Sequence, residues 1–281
     1  MTRKRFVIIG GGPGGNQCAT HAARLGAQVT LVERDIVGGA AHLWDCIPSK
    51  AMIATGDALS LINHSRGMGL SDVSATLDFG ALRDRIQAIE HKLQESVTSL
   101  LKSQGVCILQ GTGRLHGPHS VVVEGADGTT TELDADVIVL ATGSRPRIPD
   151  WAPVDGKRVL TTRDAYPPPE LPDHLVVIGA GVTGVEFVHM FSSFGCDVTF
   201  IVSRQQVLPQ KDPEVAAALE EDFLDRGVRL LKGARATGIE VRDDDITVIC
   251  DDGRRATGSH ALLAVGSIPN SEELGLDQAG V

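Results

Sequence analysis

Two glycine clusters have the spacing to bind a diphosphate. Gly10, Gly12 and Gly15 follow the apolar run Phe6 to Ile9 and open a helical stretch, and Glu33 lies 18 residues beyond Gly15. In such a turn the first glycine permits the tight bend and the second lets a pyrophosphate approach the backbone. The third lets helix pack on strand, and the acid accepts a ribose 2′-hydroxyl. Pro13 and Gly14 complete this candidate binding turn. A second turn, Gly179, Gly181 and Gly184 with Val182 and Thr183 inside it, follows Leu175 to Ile178 at an offset of 169 residues. The offset holds further on: Gly26 maps to Gly195, and Val29-Thr30-Leu31 to Val198-Thr199-Phe200. Two strand–helix–strand nucleotide units are implied. At the position of Glu33 the second copy has Val202, followed by Ser203 and Arg204. With no acid to repel it, a 2′-phosphate could be held by the serine and arginine, so NADPH is favoured and NADH remains admissible. The alternative is that Arg204 is a solvated surface residue.

The third motif is Gly38-Gly39-Ala40-Ala41-His42-Leu43-Trp44-Asp45-Cys46-Ile47-Pro48-Ser49-Lys50. With both glycine turns, Ala141-Thr142-Gly143-Ser144-Arg145-Pro146 and Val265-Gly266-Ser267-Ile268-Pro269-Asn270, it makes the whole chain resemble the pyridine nucleotide-disulfide oxidoreductases. That group holds lipoamide dehydrogenase, glutathione reductase, mercuric reductase and soluble transhydrogenase. Members with a redox disulfide carry C-x4-C just before IPSK. Here Cys46 is the second position and Ala41 stands at the first. One sulfur cannot make an internal disulfide, and thiol–disulfide exchange needs a resolving partner. The variant Gly38-Gly39-Ala40-Ala41 to Cys46-Ile47-Pro48-Ser49-Lys50 most resembles that of the NAD(P)H:quinone reductase branch, which implies hydride passing from NADPH or NADH through FAD to a quinone. A soluble transhydrogenase, a lipoamide dehydrogenase-like protein and a truncated non-catalytic nucleotide-binding fragment are the alternatives.

The resemblance also implies site roles. Lys50 would lie by the flavin, with Glu186 paired to it; a cation there stabilises the negative charge of the reduced ring, and a buried lysine needs a partner. The alternative is a helix-surface lysine in an ordinary interdomain ion pair. Val182 stands where some relatives carry an aromatic gate, so no gate is expected. Gly39, Thr142 and Gly143 are further FAD contacts, Gly113 the adenine-side loop, and Gly266 the NAD(P) counterpart. Cys46 is a candidate flavin-adjacent thiol, with an apolar packing role as its alternative. His42 and Trp44 line the same segment without a catalytic role.

These groups need a scaffold, and the pattern between them is α/β. Helices are expected over Ser49 to Ser65, Phe79 to Ser103 and Val215 to Asp225. Strands are expected at Val106–Leu109, Ser120–Glu124, Thr130–Leu133, Ile246–Cys250, Arg254–Thr257 and Ala261–Val265, and a buried one at Asp136–Ala141. Arg145 to Leu171 is proline-rich and reads as a linker. The expected organisation is two Rossmann-like, three-layer β/β/α domains: residues 1–150 for FAD, 151–270 for NAD(P), and 271–281 beginning a return to an incomplete FAD domain. Relatives continue into a dimerisation domain, so a truncated chain is expected here and a homodimer only for the full-length protein.

Bulk properties exclude other classes. A net charge of −10 with 4% aromatic residues argues against nucleic acid or anionic membrane as partner. Five widely spaced cysteines without a CxxC make a disulfide scaffold or a metal site improbable. The basic N-terminus leads into too short an apolar run for a signal peptide, and no stretch is long enough to span a bilayer. The cytoplasm is the expected compartment.

Overall fold

The computed structural model describes residues 3–63, 65, 68–69, 71 and 73–281. In chain order the elements are β1 (Arg5–Ile9), α1 (Pro13–Arg24), β2 (Gln28–Glu33), α2 (Ile47–Asn63), α3 (Phe79–Ser103), β3 (Cys107–Gln110), β4 (Thr112–Gly117), β5 (Ser120–Glu124), β6 (Thr130–Asp134), β7 (Val137–Leu140) and β8 (Ser144–Pro146). They continue as β9 (Val159–Thr161), β10 (His174–Ile178), α4 (Val182–Ser193), β11 (Asp197–Val202), α5 (Pro213–Asp225), β12 (Arg229–Lys232), β13 (Ala236–Val241), β14 (Ile246–Cys250), β15 (Arg255–Gly258), β16 (His260–Leu263), β17 (Ser267–Pro269) and α6 (Leu276–Ala279). A π-helical turn, Ala41–Cys46, runs directly into α2.

The chain packs as two units. The first holds Met1–Ile47, Gln87–Arg145 and Pro269–Val281; the second holds Pro48–Ile86 and Pro146–Ile268. These boundaries differ from the expected breaks at 150 and 270. Residues 48–86 join the second unit because Ala51, Met52, Leu82 and Ile86 lie in one core with Phe187, Val188 and Phe191.

In the first unit a parallel sheet runs in the order β3-β2-β1-β7, with a separate antiparallel sheet β4-β5-β6. Alternation along each strand sorts side chains to opposite faces. Ile8, Val29 and Leu31 face Ala19, Ala22 and Leu101 of the helices. Val7, Ile9 and Val32 face Leu115, Val121 and Val123 of the antiparallel sheet. The second unit repeats this plan as β12-β11-β10-β16-β9 with antiparallel β13-β14-β15. Leu175, Val177 and Phe200 face the helices, while Val176, Ile178 and Ile201 face Ile246, Val248 and Ala256. Each unit is thus a three-layer β/β/α sandwich with its parallel sheet in the middle.

Several expectations are corrected. The strand at 136–141 is not buried: among the described residues β7 is an edge strand paired with β1, and it leaves Val137 and Leu140 exposed. Its counterpart β16 is buried throughout because β9 covers it. That β9, together with β8 and a capped 3₁₀ turn at Thr162–Ala165, lies within the stretch read as a linker. Strands β4, β12, β13 and β17 were not expected. Helix α2 begins at Ile47, two residues early, since Pro48 is tolerated in a first turn; its expected far end runs through His64, which lies outside the described residues. Helix α5 begins at Pro213, capped by Asp212, whose side chain accepts from the Glu214 N–H at 2.8 Å.

Candidate functional site

The first unit gathers one constellation around the β1–α1 turn. Gly10 has φ +108°, and a Cβ on it would overlap the Ala141 carbonyl. A Cβ on Gly15 would overlap the Gly10 carbonyl, which is why the helix can seat so close to the strand. Gly39, φ +80°, places its α-carbon against Gly12, so the 38–39 turn lies directly over the first turn of α1. The N-cap residue Gly12 offers no side-chain cap, leaving first-turn N–H groups for an anion.

Glu33 ends β2 in a buried position. Its Oε2 accepts from the Gly11 N–H at 2.6 Å and its Oε1 from the Asp35 N–H at 2.7 Å. Each carboxylate oxygen keeps a second lone pair that a ribose hydroxyl could use.

Beyond β7, Thr142 and Gly143 are held by Asn270. The Thr142 hydroxyl donates to the Asn270 carbonyl at 2.7 Å, Asn270 Nδ2 donates to the Thr142 carbonyl at 2.8 Å, and the Asn270 N–H donates to the Gly143 carbonyl at 2.9 Å. Asn270, the last residue of the Val265–Asn270 motif, is the residue that orders this loop, a role its motif does not reveal. Gly113 is corrected from loop to strand: it sits in β4 opposite Val123, where a Cβ would press on Ile9 and Val32. Close packing of the two sheets is its reason.

The second unit repeats the turn. Gly179 has φ +106° and abuts the Ala264 carbonyl, and Gly184 abuts the Gly179 carbonyl. Gly181, the uncapped N-cap of α4, differs from Gly12: nothing lies within 4 Å of a Cβ built there. The turn is open, and Thr183 continues it while Val182 is exposed. Ser203 and Arg204 follow β11 on the surface, where Arg204 borders an open cavity of about 430 Å³ with Gln205, Gln206, Pro209 and Gln210. Gly266, φ +95°, accepts from the Arg147 N–H at 2.9 Å.

Lys50 and Glu186 do meet: Nζ lies 2.9 Å from Oε1, joining the first turn of α2 to that of α4. The expected buried lysine is corrected. Its side chain is 62% exposed, so the pair contributes little to stability, about 0–1 kcal/mol.

Ala41 and Cys46 flank the π-helical turn, and both are exposed. An apolar filler role for Cys46 does not hold, because Leu43 is the residue this turn buries. All five cysteines are thiols. Burial pushes Cys196 up to about 12 and raises Cys250 as well, which keeps both unreactive.

Each first turn therefore fits a dinucleotide diphosphate: its glycines let helix seat close on strand, and the helix N-termini carry no side-chain cap. Among the described residues no cluster suits a metal ion, and no helix is long and apolar enough to cross a membrane.

Comparison with known proteins agrees with this geometry. An NAD(P)H dehydrogenase (quinone) of Mycobacterium tuberculosis is 40% identical over 99% of this chain and 58% of its own length. A dihydrolipoyl dehydrogenase of Zymomonas mobilis is 33% identical over 98% of this chain and 60% of its own length. Among solved structures, LpdA from Mycobacterium tuberculosis superposes with a TM-score of 0.91 at 38% identity, covering 99% of this chain and 62% of that one. The chain thus spans about three-fifths of these relatives. The family model described as pyridine nucleotide-disulphide oxidoreductase matches residues 4–281. The chain belongs to the pyridine nucleotide-disulphide oxidoreductase family.

Proposed function

We propose that this chain is the nucleotide-binding part of an FAD-dependent NAD(P)H oxidoreductase that reduces a quinone without a redox disulfide. The family's cofactors are FAD and NAD(P)H. The observation that carries the reading is the combination of an intact Lys50–Glu186 pair with Ala41 in place of a first cysteine. A likeness to a named quinone dehydrogenase supports it.

Bound FAD would take a hydride from the nicotinamide and pass the electrons on. In this reading the first unit holds FAD: Gly10, Gly12, Pro13, Gly14, Gly15 and Gly39 admit the diphosphate, Glu33 holds the ribose, and Thr142 and Gly143 line the site. The second unit holds NAD(P)H through Gly179, Gly181, Val182, Thr183, Gly184 and Gly266. Ser203 and Arg204 bind the 2′-phosphate. The Lys50 ammonium, oriented by Glu186, offsets the negative charge that reduction develops. Ala41 provides no resolving thiol, so Cys46 is a marker of the branch rather than the relay. A cytoplasmic homodimer completes the proposal.

The test is menadione reduction by NADPH and by NADH with the full-length protein. Activity that survives Cys46→Ala is the expected result. Turnover that instead depends on dihydrolipoamide, or exchange between NADPH and an NAD⁺ analogue faster than quinone reduction, would overturn it.

A further inference from the structure

A second polar contact joins the two helices that carry Lys50 and Glu186. Asp57 Oδ1 lies 2.9 Å from His189 Nε2. Asp57 follows Lys50 by seven residues along α2, and His189 follows Glu186 by three along α4. Both spacings return a side chain to the same helix face. Between the two contacts Ala51 and Met52 enter the core, and a Cβ on Gly56 would lie 3.0 Å from the Ser193 Cβ. Beyond Gly56 no described residue of α2 is buried. Asp57 therefore lies just past the last buried residue of this helix among those described.

The histidine is itself gripped. Arg226 Nη1 lies 3.0 Å from His189 Nδ1. A guanidinium can only donate, so Nδ1 accepts and the ring proton sits on Nε2, aimed at the Asp57 carboxylate. Arg226 is anchored on the end of α4 by the His189 carbonyl at 3.0 Å and the Ser193 hydroxyl at 2.8 Å, and Asp222 lies at 3.3 Å. The imidazole can neither rotate nor change tautomer without giving up one partner.

We propose that Asp57 and His189, locked by Arg226, are positioning residues that set the register of α2 on α4 and so hold the Lys50 ammonium against Glu186. This rests on the reading of Lys50 as the site's cation. The contacts are partly solvated, with the Asp57 side chain 59% and that of His189 34% exposed. They fix geometry and add little stability.

The test follows the Lys50 amine directly and needs neither flavin nor turnover, so it can fail independently of the quinone reading. Lysines are labelled by reductive ¹³C-methylation, which keeps their charge, and the Lys50 resonance is assigned by its loss in Lys50→Arg. Glu186→Gln marks the position of the unpaired amine. The expected result is that Asp57→Ala and His189→Ala move the Lys50 resonance most of the way to that position, with little change in melting temperature. Asp57→Asn, whose amide oxygen can still accept from Nε2–H, should stay near the parent protein. A Lys50 resonance that stays at the parent position in both alanine variants, or one that Glu186→Gln does not move, would overturn the proposal.

Discussion

Glu33 accepts a hydrogen bond from the backbone of Gly11 at 2.6 Å, and this ties the end of β2 to the glycine turn that follows β1. The same carboxylate takes the Asp35 N–H. One side chain thus shapes the turn before any nucleotide arrives. Glu33→Ala would strand the buried Gly11 N–H and free the part-buried Asp35 N–H, at about 1–3 kcal/mol. Urea unfolding without nucleotide should show that loss. An unchanged midpoint would mean the carboxylate serves only the ligand.

The second glycine turn separates folding from binding. Gly184→Ala forces a Cβ into the Gly179 carbonyl, so it should cost more than about 2 kcal/mol or prevent folding. Gly181→Ala meets no protein atom within 4 Å and should stay within about 1 kcal/mol of the parent protein. If Gly181 is glycine to admit a diphosphate, nucleotide affinity should drop in that variant alone. Unaltered NADPH titration of Gly181→Ala would contradict the assignment.

Arg204 offers the test of coenzyme choice. Removing a charge-assisted bond to a phosphate costs ~1.5–3 kcal/mol, or about 10- to 100-fold in affinity. Arg204→Ala should raise the KM for NADPH by that factor and leave the KM for NADH unchanged. Equal effects on both coenzymes would remove the 2′-phosphate role.

Two histidines set an acid limit on stability. Burial lowers the pKa of His174, with Arg229 adding to the shift, and burial likewise lowers that of His260. Both are neutral in the fold, whereas the unfolded chain titrates near ~6.5. Their contribution is complete above that value and is lost as pH falls below it through the depressed folded values. Unfolding free energy should therefore decline from pH 7 to pH 5, and less so in His260→Asn, whose side chain can still reach the Ser259 hydroxyl that His260 Nδ1 contacts at 3.0 Å. Stability that is flat or rising over that range would refute this.

The amino-acid sequence by itself determined the duplicated turn, because the positive φ at Gly10 and Gly179 and the contacts of Gly15 and Gly184 with the carbonyls of those glycines are local and favour glycine. It likewise determined α3, whose periodic face runs from Phe79 to Ser103, whereas Lys50 and Glu186, 136 residues apart and in contact at 2.9 Å, were paired only by the family resemblance. What it left open depends on neighbours. Gly113 reads as a turn residue until Ile9 and Val32 are seen pressing on it, and β9 is masked by flanking prolines until β16 supplies its partner. Whether β7 or β16 is buried depends on which one gains an outer strand. Lys50 could be taken as buried from its motif, yet only packing shows its side chain open to solvent. The Asp57–His189–Arg226 chain could not be read at all, since three helices converge there and hydrogen-bond partners across a core leave no spacing in the sequence. Local conformation is encoded residue by residue, whereas burial and long-range pairing are properties of the assembled layers.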